Sequence, residues 1–352
     1  MVGTLEHLDT TNKTILITGG CGFIGSHTAI DLLEKGYEVI SIDNLSRSKT
    51  FVPDRIRDIS GKPFHNYRVD CRDLAKLRTI IHQHKQIDGI IHFAAFKSVG
   101  ESMQKPLVYY DNNLNSTINM LRIADEFNVP HFVFSSSCSV YGNTVEQPVK
   151  EDSPISTPES PYGWTKLISE QMIQSHAQTA STKFIALRYF NPVGAHDSGR
   201  LGEMPYGEPE NLVPNITQTA IGRKPSFTVF GTDYATRDGS CVRDYIHVMD
   251  IAEAHTLALQ YQMEGRQHNT YDVFNLGSGN GVTVLELIHA FESVSGQSLS
   301  YQKGPRRDGD VVSVYADTSK ANQLLGWKAH RSINDMMRSA WLWEQAMQKE
   351  PM

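Results

Sequence analysis

Cysteine is scarce: four in 352 residues, at positions 21, 71, 138 and 241, with no Cys-x-x-Cys pair. That spacing excludes a disulfide scaffold and a thiolate zinc site, and the cysteines are expected to be reduced. No run approaches the roughly 18 apolar residues of a membrane-spanning helix. Residues 1–13 hold no basic start followed by an apolar run, so a cytoplasmic location and no membrane partner are expected. Positive charge is not in excess either. Thirty-three Lys and Arg against 39 Asp and Glu leave −6, which speaks against nucleic acid as the main partner. The histidines are scattered, and the tightest pair, His82 and His84 beside Lys85, reads as a solvated helix end. No metal site is expected.

What is present is an ordinary globular composition, 39% hydrophobic and 20% charged, on a chain longer than one core usually serves. Thr14 to Thr18 is a short β-branched run, followed by Gly19-Gly20-Cys21-Gly22-Phe23-Ile24-Gly25 and an apolar helical pattern ending at Gly36. This reads as strand, glycine loop and helix. Glycines at 19, 22 and 25 let the chain turn tightly, bring N–H groups to a pyrophosphate and pack the helix on the strand. Tyr37 to Ile42 reads as a second strand ending in Asp43-Asn44. Asp43 lies 18 residues beyond Gly25, the spacing at which an acidic side chain meets adenosine ribose hydroxyls. A carboxylate there repels a 2′-phosphate, so NAD is the expected cofactor.

Further strands are expected at Tyr67 to Asp70, Ile87 to Phe93, His131 to Ser135 and Phe184 to Leu187, separated by helix-length segments. Such alternation implies an α/β fold with a parallel, doubly wound sheet whose ligands lie beyond the C-terminal strand ends. Asp70-Cys71, Ala94 to Lys97, Ser135 to Ser137 and Arg188 to Asn191 stand at those ends. Asp70 is suited to accept from an adenine amine, Ala94 and Ala95 are small enough for a cofactor to pass, and Lys97 can reach its diphosphate-ribose portion. Tyr162 and Lys166 lie one helical turn apart on one face. An ammonium there is expected to draw the phenol down toward working pH and make it a base for a hydroxyl proton. Ser137 is expected beside Tyr162.

With Gly19 to Gly25, Ser135 to Gly142 and Tyr162 to Lys166 in place, the chain resembles the extended short-chain dehydrogenase/reductase superfamily. Ala94 to Ser102, Ser135 to Gly142, Leu187 to His196 and Val242 to Val248 narrow the resemblance to the UDP-glucose 4-epimerase family, from about residue 13 onward. It implies a Rossmann-type NAD-binding domain at 13–190, its sheet completed by segments near 240–280, and a smaller, mainly UDP-sugar-binding α/β domain at 191–352. Such enzymes interconvert UDP-galactose and UDP-glucose on a tightly held NAD.

By the same match Tyr162 takes the proton of the sugar 4-OH, Lys166 bonds the nicotinamide ribose and Ser137 relays the proton. Gly19, Gly22, Phe23, Ile24, Gly25, Asp43, Asn44, Asp70, Cys71, Ala94, Lys97, Asn112 and Tyr189 join them around the cofactor. Asn191, Asn211, Arg243, Tyr245, Arg307 and Asp310 would hold the nucleotide sugar, two arginines suiting a diphosphate. Relatives restricted to plain hexoses carry a bulky tyrosine where this chain has Val314, so N-acetylated UDP-hexoses are expected to be accepted too. The family commonly forms homodimers, here through helices expected at 106–128 and 162–176. Residues 192–330 read as a loop-rich lid, 274–279 as a return strand and 341–347 as a short terminal helix. The rivals are a related dehydratase or decarboxylase, which needs an added carboxylate beside Ser137; an NAD-dependent dehydrogenase, which exchanges its cofactor; and a non-catalytic NAD sensor.

Overall fold

The computed structural model describes residues 13–144, 146–306 and 311–349. Its first half runs β1 (Thr14–Thr18), α1 (Phe23–Glu34), β2 (Glu38–Ile42), α2 (Val52–Ser60), β3 (His65–Tyr67), α3 (Leu74–Ile81), β4 (Gly89–His92), α4 (Val99–Gln104), α5 (Pro106–Glu126), β5 (His131–Ser137), α6 (Pro161–His176) and β6 (Lys183–Tyr189). The second half runs β7 (Asn191–Val193), α7 (Leu212–Ala220), β8 (Phe227–Phe230), β9 (Val242–Arg243), β10 (Tyr245–His247), α8 (Val248–Met263), β11 (Tyr271–Leu276), β12 (Val282–Thr283), α9 (Val284–Ser295), β13 (Tyr301–Gly304), β14 (Ser313–Val314), α10 (Ser319–Leu325) and α11 (Ile333–Lys349).

Seven strands form the main sheet in the order β3-β2-β1-β4-β5-β6-β11, every pair parallel. This is the doubly wound Rossmann-type architecture. The order reverses between β1 and β4, where such sheets open a ligand crevice. The central strands are short and β-branched because helices cover both faces. One core layer joins Ile15, Ile17, Ile30, Leu33, Ile251 and Leu259 on the α1/α8 side. The other joins Leu16, Ile90, Leu77, Met120 and Ile173 on the α3/α5/α6 side. Smaller sheets, β7-β10, β9 flanked by β12 and β14, and β8-β13, cover a third core of Val213, Ile216, Phe227, Leu287, Phe291 and Met337.

Several expected boundaries shift. The third strand is His65–Tyr67, so Val69 and Asp70 lie past it in the turn that precedes Asp73, the cap of α3. β5 runs on to Ser137 and β6 to Tyr189, because β6 pairs with them residue for residue as far as Ser137 opposite Tyr189. The stretch expected to be a loop-rich lid contains α8, which packs on α1, and the seventh strand of the main sheet. The terminal helix starts at Ile333 and spans 17 residues. Met336, Met337, Ala340, Trp343 and Met347 are buried along it.

Candidate active site

The glycine loop is dictated by close packing. A Cβ on Gly25 would stand 2.2 Å from the Gly19 carbonyl oxygen, and Gly19, at φ +71°, lies against the Ala94 backbone. Only glycine serves such a position. α1 starts at Phe23 with Gly22 as its cap, no side-chain capping bond and no acid in the first turn. Its first N–H groups therefore remain for an anion, with the helix dipole behind them. Cys21 donates its backbone N–H to Asp43 Oδ2, and Leu45 N–H and the Ser48 hydroxyl donate to Asp43 Oδ1. That leaves one of roughly four acceptor positions on the carboxylate for a ribose hydroxyl. Arg47 is turned away from Asp43. It donates to both oxygens of Glu101 at 2.9 and 2.8 Å and lies over the Phe96 and Tyr206 rings. The cradle, the uncapped helix and the open carboxylate position fit an adenine dinucleotide without a 2′-phosphate.

Two other residues expected at the cofactor, Asp70 and Cys71, are engaged by the protein itself. Asp70 already accepts four donors: Arg72 N–H and Nε at Oδ1, and Arg72 Nη2 and Asn44 Nδ2 at Oδ2. Arg72 holds this carboxyl below its ordinary pKa, so an adenine amine would have to displace one of these donors. The Cys71 side chain is buried in the α3/α5 core layer, where desolvation raises its thiol pKa far above the ordinary value. It offers the groove backbone alone.

Ser137 ends β5, and its hydroxyl accepts from Ser139 N–H at 3.2 Å. Ser160 caps α6 by accepting from Gly163 N–H at 3.1 Å, with Pro161 in the first turn. This sets Tyr162 and Lys166 on the first two turns against β5. The Ser137 hydroxyl, near Tyr162, acts to lower the phenol's pKa. Lys166 is buried, and its ammonium donates to the Ser135 carbonyl at 2.6 Å, 4.9 Å from the centre of the Phe134 ring and 6.0 Å from that of Tyr162. Burial overrides the expected effect of lysine on phenol. Desolvation pushes Tyr162 up to about 12, opposed by the Ser137 hydroxyl. It pulls Lys166 down to about 7, opposed by the Glu170 charge. In the ligand-free chain the phenol stays protonated at neutral pH.

Behind this pair lies a buried network that the motifs do not announce. Glu170, one turn beyond Lys166, accepts from Arg188 Nη2 at 2.6 Å and from Ser136 Oγ at 2.5 Å. Arg188 Nη1 also donates to Tyr141 Oη, which donates to Asn275. The one sequence signal was an acid on the buried face of α6, eight residues past Tyr162. Tyr189 is hydrogen-bonded to the Ser135 hydroxyl. Asn112 Nδ2 donates to Asn113, whose side chain brackets Phe96 and bonds Thr165 on α6.

On the other side of the crevice, Asn191 begins β7 and Arg243 ends β9, donating to the Val242 and Val311 carbonyls. Asp244 turns inward to Ser278, Gly279 and Ala316. Asn211 precedes α7, and its amide donates to Glu203 at 2.9 Å. Tyr245 is buried with Val193, Val213 and Phe227 in the third core. Arg307 and Asp310 lie outside the described residues. Val314 packs with Val140, Leu167 and Phe190, beside Cys138. The neighbouring Tyr315 packs on Gly281 instead, as alternation along a strand requires.

The family model described as GDP-mannose 4,6 dehydratase matches residues 16–340. UDP-glucose 4-epimerase 2 of Arabidopsis thaliana is 46% identical over 337 residues, 94% of this chain and 95% of that protein. The crystal structure of the UDP-glucose-4-epimerase of Stenotrophomonas maltophila with bound NAD and formylated UDP-arabinopyranose superposes with a TM-score of 0.93 at 44% identity, covering 96% and 100% of the two chains. The UDP-Glc/GlcNAc 4-epimerase of Campylobacter jejuni gives 0.82 at 36% identity, covering 95% and 100%. With its fold, its glycine cradle and this identity along nearly its whole length, the chain belongs to the UDP-glucose 4-epimerase family of the extended short-chain dehydrogenase/reductases.

Proposed function

We infer that this chain is an NAD-dependent isomerase that interconverts UDP-galactose and UDP-glucose through transient oxidation at C4, with Tyr162 as its base. The observation that carries this reading is the convergence of Ser137, Tyr162 and Lys166 at the end of β5 and the start of α6, beside an α1 N-terminus built to hold an anion. NAD held there by the glycine loop and the start of α1 would supply the acceptor and donor of the C4 hydride. The proton of the sugar 4-OH leaves to Tyr162 Oη in its phenolate form, and Ser137, near that phenol, relays it and donates to the oxygen that becomes a ketone. Lys166 supplies a charge held in place by the Ser135 carbonyl. Return of proton and hydride to the opposite face of the 4-keto sugar gives the epimer, so no external oxidant is consumed.

Lys97, Asn112 and Tyr189 are proposed for the cofactor shell, with Asn191, Asn211, Arg243, Arg307 and Asp310 around the nucleotide sugar. Residues 13–190 with β11 are read as the cofactor part and the remainder as the sugar-nucleotide part. Val314 is smaller than the tyrosine of relatives restricted to plain hexoses, and Tyr315 is turned toward Gly281, so UDP-N-acetylglucosamine and UDP-N-acetylgalactosamine are proposed as a second substrate pair. A dehydratase is disfavoured because Ser137 is followed by Cys138 and Ser139, and the nearby Asp244 carboxylate is fully engaged.

A homodimer is proposed on α4, α5 and α6, which pack on one another. They expose Val99, Met103, Leu107, Val108 and Trp164, with Leu107 79% exposed. Among the described residues no helix is long and apolar enough to cross a membrane. A cytoplasmic location is supported by four free cysteines, three of them buried.

The test incubates purified protein with UDP-galactose and no added NAD, follows UDP-glucose through a coupled dehydrogenase, and uses Tyr162→Phe as control. Turnover that the variant loses is the expected result. No turnover with or without added NAD would reject the reading.

A further inference from the structure

Residues 202–211 form a strap tied at two points to the segment after β4 and at a third to Arg47, which follows β2. Lys97 Nζ donates to Glu203 Oε1 at 2.7 Å. Arg47, fixed by Glu101, lies 4.2 Å from the Tyr206 ring centre. Ser98 Oγ bonds the Glu210 carboxylate at 2.7 Å. Gly202 and Met204 line a small cavity with Cys21, Gly22, Phe23 and Ser26, so the strap borders the glycine loop itself. The Lys97 ammonium stands 5.7 Å from the ring centre of Phe23, the first residue of α1.

Glu203 holds both sides of the crevice with one atom. Its Oε1 accepts from Lys97 on the cofactor side and from Asn211 Nδ2, at 2.9 Å, on the sugar-nucleotide side. Two donors fill the two lone pairs of that oxygen. The residue's backbone is anchored. Its backbone carbonyl accepts from Trp343 Nε1 at 3.0 Å, and a Cβ on Gly202 would stand 2.5 Å from the Trp343 ring. Asn211 occupies the N-cap of α7 without making a side-chain capping bond, because its amide is directed to Glu203.

We propose that Glu203 is a positioning residue that couples the two binding sites by sharing one carboxylate oxygen between Lys97 and Asn211. The proposal rests on the reading that Lys97 serves a dinucleotide. An ammonium that turns to a diphosphate at the start of α1 leaves Glu203, and the uncompensated carboxylate then holds Asn211 more firmly. Asn211 is thereby ordered for the second ligand before it arrives. By linkage, a nucleotide bound at Asn211 must retain the dinucleotide to the same degree.

The test follows release of NAD from the purified holoprotein by fluorescence, with and without saturating UDP, in the native chain, Glu203→Gln, Glu203→Ala, Lys97→Gln and the Lys97→Gln/Glu203→Gln double variant. In the native chain UDP slows release about tenfold, a typical coupling. Either Glu203 substitution brings that ratio to within about threefold of one, and the double variant loses no more than Lys97→Gln alone, the non-additivity expected of a shared contact. A native UDP effect retained in both Glu203 variants, or an absent effect in the native chain, overturns the coupling while leaving the epimerase reading intact. Protein that binds no dinucleotide at all would sink both.

Discussion

The ammonium of Lys166 donates to the backbone carbonyl of Ser135 at 2.6 Å. The bond ties α6 to the end of β5 and aims a buried lysine along the strand that carries Ser137. Burial draws that lysine down to about 7, which makes its charge costly to keep and gives the site a measurable pH signature.

Lys166→Met should abolish turnover yet stabilise the fold. In the native chain the folded pKa, about 7, lies below the ordinary 10.5. Between these values the unfolded chain binds more protons, so this group makes stability rise with pH across that window. The variant should melt higher at pH 7, by on the order of 2 °C, and the advantage should shrink toward pH 10. Calorimetry at the two pH values checks the sign.

Tyr162→Phe should lower kcat by roughly 10²- to 10⁴-fold, and Ser137→Ala by roughly 10²-fold, with NAD still bound in both. Because burial holds the phenol up to about 12, kcat/KM of the native enzyme should climb as pH rises from 6 to 9. A flat profile would remove Tyr162 as the titrating base.

Val314→Tyr should remove turnover of UDP-N-acetylglucosamine while sparing UDP-galactose, measured as the ratio of the two kcat/KM values. The side chain would fill the space beside Cys138 and Phe190. Equal losses for both sugars would count against a role in selecting the 2-substituent.

Glu170→Gln should destabilise by roughly 3–5 kcal/mol, since it strands the buried Arg188 guanidinium. Urea denaturation followed by tryptophan fluorescence gives the value. A Gly25→Ala variant should lose bound NAD, because its Cβ would meet the Gly19 carbonyl at 2.2 Å; absorbance of the purified protein at 260 nm reads this directly.

Much of the frame was legible because its signals are local. The run Thr14 to Thr18, the glycine loop and the helix after it sit next to one another in the chain, and β1 begins and ends at the expected residues. The i, i+4 spacing placed Tyr162 and Lys166 on one helical face. What misled was also local in form. Val69 and Asp70 read as strand but fall past β3, before α3. Nothing near residue 70 reveals that Asn44 bonds Asp70, and nothing near 203 reveals Lys97.

The sequence by itself determined the alternation of strand and helix, the glycine cradle and the shared helical face of Tyr162 and Lys166, since backbone preference and helical periodicity act over a few residues. Tertiary structure decided the ionisation of Tyr162 and Lys166, the burial of Glu170 against Arg188 and the joint grip of Glu203 on Lys97 and Asn211. Those depend on desolvation and on contacts between residues 8 to 106 positions apart along the chain, and local periodicity carries no record of either.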